Sequence, residues 1–269
     1  MKIGKVTEVR TAICTADADT IIVRGEDLCR DLIGKVSLSE FFHLSLTGKR
    51  PTPAALAVLD ATLVAIVEHG LVPSVQAARM TFAAAPDALQ GAVAAGILGC
   101  GSVILGASET AARLFVEIEA RMRGGESLDD AALAVVRAWR QAKRAIPGYG
   151  HPLHKARDPR AHRLFDVARE QRIDLRYVEI AQAVERAIPQ VLDRELTINV
   201  SAAIPAVLLG VGFPTEAMRG VPILARTAGL IAHLYEETQK PIGFALAYNA
   251  ERDAHYDGEL PAGITLKHE

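Results

Sequence analysis

The sequence predicts an all-α fold, on three observations. Apolar residues recur at three- and four-residue spacing through Pro53 to Gly70, Pro86 to about Gly101, Ser108 to Arg123, Ser127 to Arg144 and Tyr177 to Leu192, the period of helices that bury one face. Strand signals are few, confined to Thr11 to Val23, where Asp17-Ala18-Asp19 can turn a short β element. Half of the 269 residues are hydrophobic, enough to bury a substantial core and to exclude disorder.

Taken in order, each element has a local cause. Ala88 to Ala107 carries no charge and is long enough to cross a bilayer. Gly91, Gly96, Gly99, Gly101 and Gly106, with Gln90, Cys100 and Ser102, interrupt it, and no second span accompanies it. It therefore reads as a buried helix of a core or a subunit interface. Ser127 followed by Asp129 and Asp130 starts a helix, since a hydroxyl satisfies orphan amides and acids suit the positive end of the dipole. Pro147 and Gly148 stop it. From Asn249 onward, Gly258, Pro261 and Gly263 predict an irregular tail able to wrap a partner subunit. The chain has no solenoid repeat and no low-complexity tract.

Charge excludes one class of partner. Thirty basic against 32 acidic residues leave a formal net charge of -2, so no global field favours nucleic acid. Cys14, Cys29 and Cys100 show no CxxC spacing, which indicates neither a disulfide framework nor a zinc site; no metal is expected, and a reducing cytoplasm fits best. The N-terminus lacks a basic n-region followed by an apolar h-region and reads as mature cytosolic sequence.

The chemistry concentrates in Gly148-Tyr149-Gly150-His151-Pro152-Leu153-His154-Lys155-Ala156-Arg157-Asp158-Pro159-Arg160. An imidazole on a glycine-rich turn, nine residues before an arginine, suits an oxyanionic, carboxylate-bearing substrate. Gly148 and Gly150 allow a tight or left-handed backbone, and Pro159 breaks any helix begun at Lys155, which holds His151 on a constrained loop. The alternative is a turn whose histidine caps a helix.

This segment resembles the G-[FY]-G-H-x-x-x-x-x-x-D-P-R signature of the citrate synthase and citryl-CoA lyase family, and the likeness covers nearly the whole chain. Ile22-Val23-Arg24-Gly25-Glu26-Asp27-Leu28, Ser39-Glu40 and Leu46-Thr47-Gly48-Lys49-Arg50-Pro51 are similar to the family's entry region. Glu68-His69-Gly70, with Ser74 and Arg79 downstream, is similar to its D-H-x-x-x-x-S segment. Asn199-Val200 resembles its N-V-D segment, and Ala225-Arg226-Thr227-Ala228-Gly229 with Ala232-His233 its A-R-x-x-G-x-x-A-H stretch.

The resemblance implies a citrate synthase-like fold, with a large helical domain (1–107 and 205–269), a small one (108–204), the site between them, and a homodimer or dimer of dimers. It implies catalysis by His151, substrate binding by His69, Arg160 and Arg226, and contact with a coenzyme A thioester by Gly148, Gly150, Lys155 and Arg157. The implied partners are an acyl-CoA and an oxo or hydroxy acid, with neither nucleic acid nor membrane. Each residue has a plainer reading: a structural salt bridge for Arg160 and Arg226, a helix-end cation for His69, a solvated charge for Lys155 and Arg157, and a core histidine for His233.

Two positions depart from the family pattern. The loop that carries its first catalytic histidine is here Gly101-Ser102-Val103-Ile104-Leu105-Gly106-Ala107-Ser108-Glu109, with Ile104 at the histidine position, and the proton-carrying aspartate falls on Ser201. Ile104 cannot donate a hydrogen bond, and an alcohol is no proton reservoir at neutral pH without a neighbouring base. Each lost acid–base group typically costs about 10²–10⁴ in rate. Ser201 is then the candidate catalytic group beside His151, with water or a relocated carboxylate as alternatives; Glu109, Asp193 and Glu195 are such carboxylates, or mere surface charge. Three functions follow as expectations: a citryl-CoA lyase-like enzyme, a non-catalytic or regulatory homologue that binds the same ligands, and altered chemistry such as thioester hydrolysis.

Overall fold

The computed structural model describes residues 8–150 and 156–264. A small antiparallel sheet comes first, formed by β1 (Cys14–Ala16), β2 (Ile21–Val23) and β3 (Glu26–Asp27), with Cys14 opposite Val23 and Val23 opposite Glu26. Its first turn is the expected one: the Asp17 carboxylate accepts from the amides of Asp19 and Thr20 at 3.0 and 2.8 Å.

Helices make up most of the rest, as expected. They are α1 (Leu38–Thr47), α2 (Pro53–Val67), α3 (Pro73–Ala84), α4 (Leu89–Leu98), α5 (Gly106–Arg123), α6 (Leu128–Gln141), α7 (Pro159–Glu170), α8 (Arg176–Ala187), α9 (Pro189–Leu192), α10 (Val200–Gly210), α11 (Gly220–Gln239) and α12 (Gly243–Asp253). Ser127 starts α6, its hydroxyl oxygen accepting from the amide of Asp130 at 3.3 Å, with Asp129 and Asp130 in the first turn. Thr52 caps α2 in the same way, with Pro53 in the first turn.

Three local expectations are corrected. The run from Ala88 to Ala107 is not one buried helix: α4 ends at Leu98, and a five-residue π-type turn, Gly101–Leu105, precedes α5. Leu98 and Val103 are 82% and 83% exposed. Pro159, expected as a helix breaker, opens α7, where its missing N–H would have had no helical partner anyway. Among the described residues the tail is irregular only from 254 to 264, because α12 runs through Asn249 to Asp253.

The described residues form two compact units. The first takes in the chain to Glu68 and from Gly101 to Arg226, and the second 69–100 and 227 onward. The division expected from the sequence, 108–204 against the two ends, would cut α5 and α10. Both are continuous, and both contribute to one core with α2, α6, α7 and α8: Leu59, Phe115, Ile118, Val136, Phe165, Ile180, Val184, Ile204 and Leu208 are all buried there. Helix α10 is apolar all round, so it can only be stable in the middle of such a core.

The second unit has a smaller apolar centre, Val75, Ala78, Ala92, Leu230 and Leu234. A buried ion pair reinforces it. Arg79 donates from Nε to Glu237 at 2.5 Å and from Nη1 to Glu236 at 2.7 Å, while the other Glu237 oxygen accepts from the amides of Ile242 and Gly243 and so caps α12. Among the described residues no single helix is long and apolar enough to cross a membrane.

Candidate active site

The signature segment is built against the start of α10. Gly148 and Gly150 have φ of +86° and +84°, the left-handed backbone that glycine allows. A Cβ at Gly148 would stand 2.5 Å from Ala202 Cβ, so the turn lies flush on the first turn of the helix. Backbone bonds fix the register: Asn199 N donates to Gly148 O at 2.9 Å and Gly150 N to Thr197 O at 2.7 Å. Tyr149, between the glycines, is buried and donates its hydroxyl to the Ala181 carbonyl at 2.8 Å. Burial, with the Glu185 carboxylate as a second cause, holds that phenol well above its ordinary pKa, so it stays a donor.

Asn199 caps α10. Its Oδ1 accepts from the amide of Ser201 at 2.9 Å, and its Nδ2 donates to the Gly150 carbonyl at 2.6 Å. Ser201 is half-buried in the first helical turn, at the positive end of the dipole. Pro205, four residues on, has no N–H to offer the Ser201 carbonyl.

Asp158 joins two helices. Fully buried, it caps α7 by accepting from Arg160 N at 3.0 Å, receives Arg160 Nε and Nη2 at 3.1 and 2.9 Å, and accepts from Val200 N at 3.0 Å. Burial alone would raise its pKa. The Arg160 guanidinium and the two backbone donors outweigh that and hold it below the ordinary value, so Asp158 is a carboxylate. Arg160 is thus held in place by a salt bridge as well as standing in the family's motif. Asp158 and Asn199 appeared in the sequence reading only as members of motifs. An Asp before Pro and an Asn before an apolar run are both N-cap signals, and that pattern could have assigned them.

The other predicted residues fall as follows. His151 and Lys155 lie outside the described residues. Arg157 is exposed, Arg226 is half-buried in α11, and His69 is half-buried beyond the end of α2, in the second unit. Ile104 is about half exposed, in the π-type turn. Glu109 is held between Arg113 at 2.5 Å and Arg219 at 2.7 Å. Asp193 ends α9 in a left-handed conformation, and Glu195 is exposed. Gly148, Gly150, Arg160 and Ser201 are therefore gathered around the starts of α7 and α10 in the first unit.

The family model for the citrate synthase C-terminal domain matches residues 5–243. The chain belongs to the citrate synthase family. A solved citryl-CoA lyase from Hydrogenobacter thermophilus is 33% identical with a TM-score of 0.82, the match covering 96% of this chain and 97% of that one. An ATP citrate lyase from Methanothrix soehngenii, solved with citrate and coenzyme A, shares the fold at 21% identity and a TM-score of 0.77 over 98% of this chain and 44% of that one. A citrate synthase from Saccharolobus solfataricus is 27% identical over 209 residues, 76% of this chain and 54% of the relative. The chain spans about half the length of the curated citrate synthases it matches first.

Proposed function

We propose that this protein is a citryl-CoA lyase-like enzyme, cleaving a 2-hydroxy-2-carboxyalkyl-CoA thioester to an oxo acid and an acyl-CoA, or running the reverse condensation. One observation carries the reading: the likeness to a citryl-CoA lyase, in sequence and in fold, extends over nearly all of both chains. In cleavage a base takes the hydroxyl proton, and His151 donates to the oxygen that becomes the keto group. The C–C bond then breaks, and its electron pair leaves as the thioester enolate, which is afterwards protonated. His69, Arg160 and Arg226 bind the carboxylates, while Gly148, Gly150, Lys155 and Arg157 meet the coenzyme A portion. Ser201 takes the place of the usual proton carrier, at the positive end of α10.

A second reading, a non-catalytic homologue that binds the same ligands, is favoured by Ile104 and Ser201 and by the pairing of Glu109 with two arginines. One experiment separates the two. Purified protein is mixed with citryl-CoA and oxaloacetate release is followed, beside calorimetric titrations with coenzyme A and with oxaloacetate. Release supports the lyase, binding without release supports the homologue, and neither at millimolar ligand sinks both. The reading also includes a homodimer in the cytoplasm, supported by the exposed Leu98 and Val103 and by three unpaired cysteines.

A further inference from the structure

We propose that Asn199 is a positioning residue whose side chain bridges the Gly148–Gly150 turn to the first turn of α10, holding both in the register that the reaction needs; this rests on the lyase reading above. A cap alone does not call for asparagine. The Oδ1 bond to Ser201 N is the cap, and Ser or Asp supplies it as well. What asparagine adds is the Nδ2 donor, and it is spent on the Gly150 carbonyl at 2.6 Å. That carbonyl sits in a segment with two residues at positive φ, whose backbone has little preference of its own and must be ordered from outside. Fixing a carbonyl oxygen fixes the plane of its peptide unit. The same side chain thereby sets the turn that ends at Gly150 and the amide of Ser201, the residue at the proton carrier's position.

Asn199→Asp tests the bridge without removing the cap. It keeps an acceptor for Ser201 N and suits the helix dipole, but sets an oxygen against the Gly150 carbonyl. We expect a urea midpoint near that of the wild type, and kcat for citryl-CoA cleavage reduced about 10²-fold at pH 8 with KM within about threefold, the scale of a misplaced reacting group. The deficit should narrow as pH falls to about 5, because a protonated carboxyl regains an O–H donor toward Gly150. Asn199→Ser, whose hydroxyl lies on the capping oxygen itself, one bond short of the Nδ2 position, and does not titrate in this range, should show a deficit that does not narrow. A cap with no further role predicts full kcat for folded Asn199→Asp at every pH. That result, or a deficit that acid leaves unchanged, overturns the proposal. Amide hydrogen exchange in the free protein needs no substrate: at pH 8, 148–150 should exchange about tenfold faster in Asn199→Asp than in the wild type, and equal rates overturn the bridge. A wild type inactive on citryl-CoA sinks the lyase reading instead, and the exchange rates then decide the bridge alone.

Discussion

At the scale of single residues, the candidate site depends on the absence of a side chain at Gly148. Any side chain there meets Ala202 and must also accept a φ of +86°. Gly148→Ala should therefore cost about 2–5 kcal/mol, the sum of left-handed strain and overpacking. Gly125→Ala, at φ +99° with open space around it, should cost only about 1–2 kcal/mol. Urea unfolding of the two variants checks the difference. Asp158 makes a second prediction. Its folded pKa lies below the ordinary 3.8, so the stability it adds is complete above that value and is lost as pH falls through the lower folded one. The gap in stability between the wild type and Asp158→Asn should be constant from neutral pH to about 4 and should close below it. A gap that closed near pH 6 would mean that Asp158 is not the ionised partner of Arg160.

At the scale of elements, helix ends carry much of the organisation. Ser127 accepts from Asp130 N while its hydroxyl donates to the Asp130 carboxylate at 2.6 Å, so Ser127→Ala should cost about 1 kcal/mol. Arg79 is a heavier fastening, because α3, the end of α11 and the start of α12 all meet at the Arg79–Glu237 pair, each side chain 2% exposed. Arg79→Met leaves the Glu237 carboxylate buried without its counter-charge, at a cost of about 3–5 kcal/mol. Differential scanning calorimetry should show that loss, and a much smaller one for Glu236→Gln, whose side chain is half exposed. Periodicity found α2, α4, α5, α6 and α8, which bury apolar residues at helical spacing. Helix α10 escaped because it is buried on all sides, and α7 because Pro159 was read as a stop and not as a first-turn residue.

At the scale of the whole molecule, the predictions concern ligand and assembly. Arg226→Met should weaken oxaloacetate binding by about 1.5–3 kcal/mol, a factor of about 10 to 150, in protein that urea unfolding shows to be folded. Unaltered affinity would remove Arg226 from the substrate site. Sedimentation at micromolar concentration should show a dimer, and a stable monomer would leave the exposure of Leu98 and Val103 without a purpose.

The sequence by itself determined the helical class, the opening β turn and the family, and supplied the residues proposed for the site, because periodicity, caps and a fixed motif are all local patterns. It also marked Ile104 and Ser201 as departures, since a missing functional group is visible in a residue's name. Only the tertiary structure decided that α4 ends at Leu98, that the units divide where they do, that Asp158 serves Arg160 and Val200 together, and that Asn199 spans from Ser201 to Gly150. The reason is physical. A carboxylate or an amide states what it can bond, but the partner 40 or 50 positions away is chosen by how the helices pack, and packing is a property of the whole core.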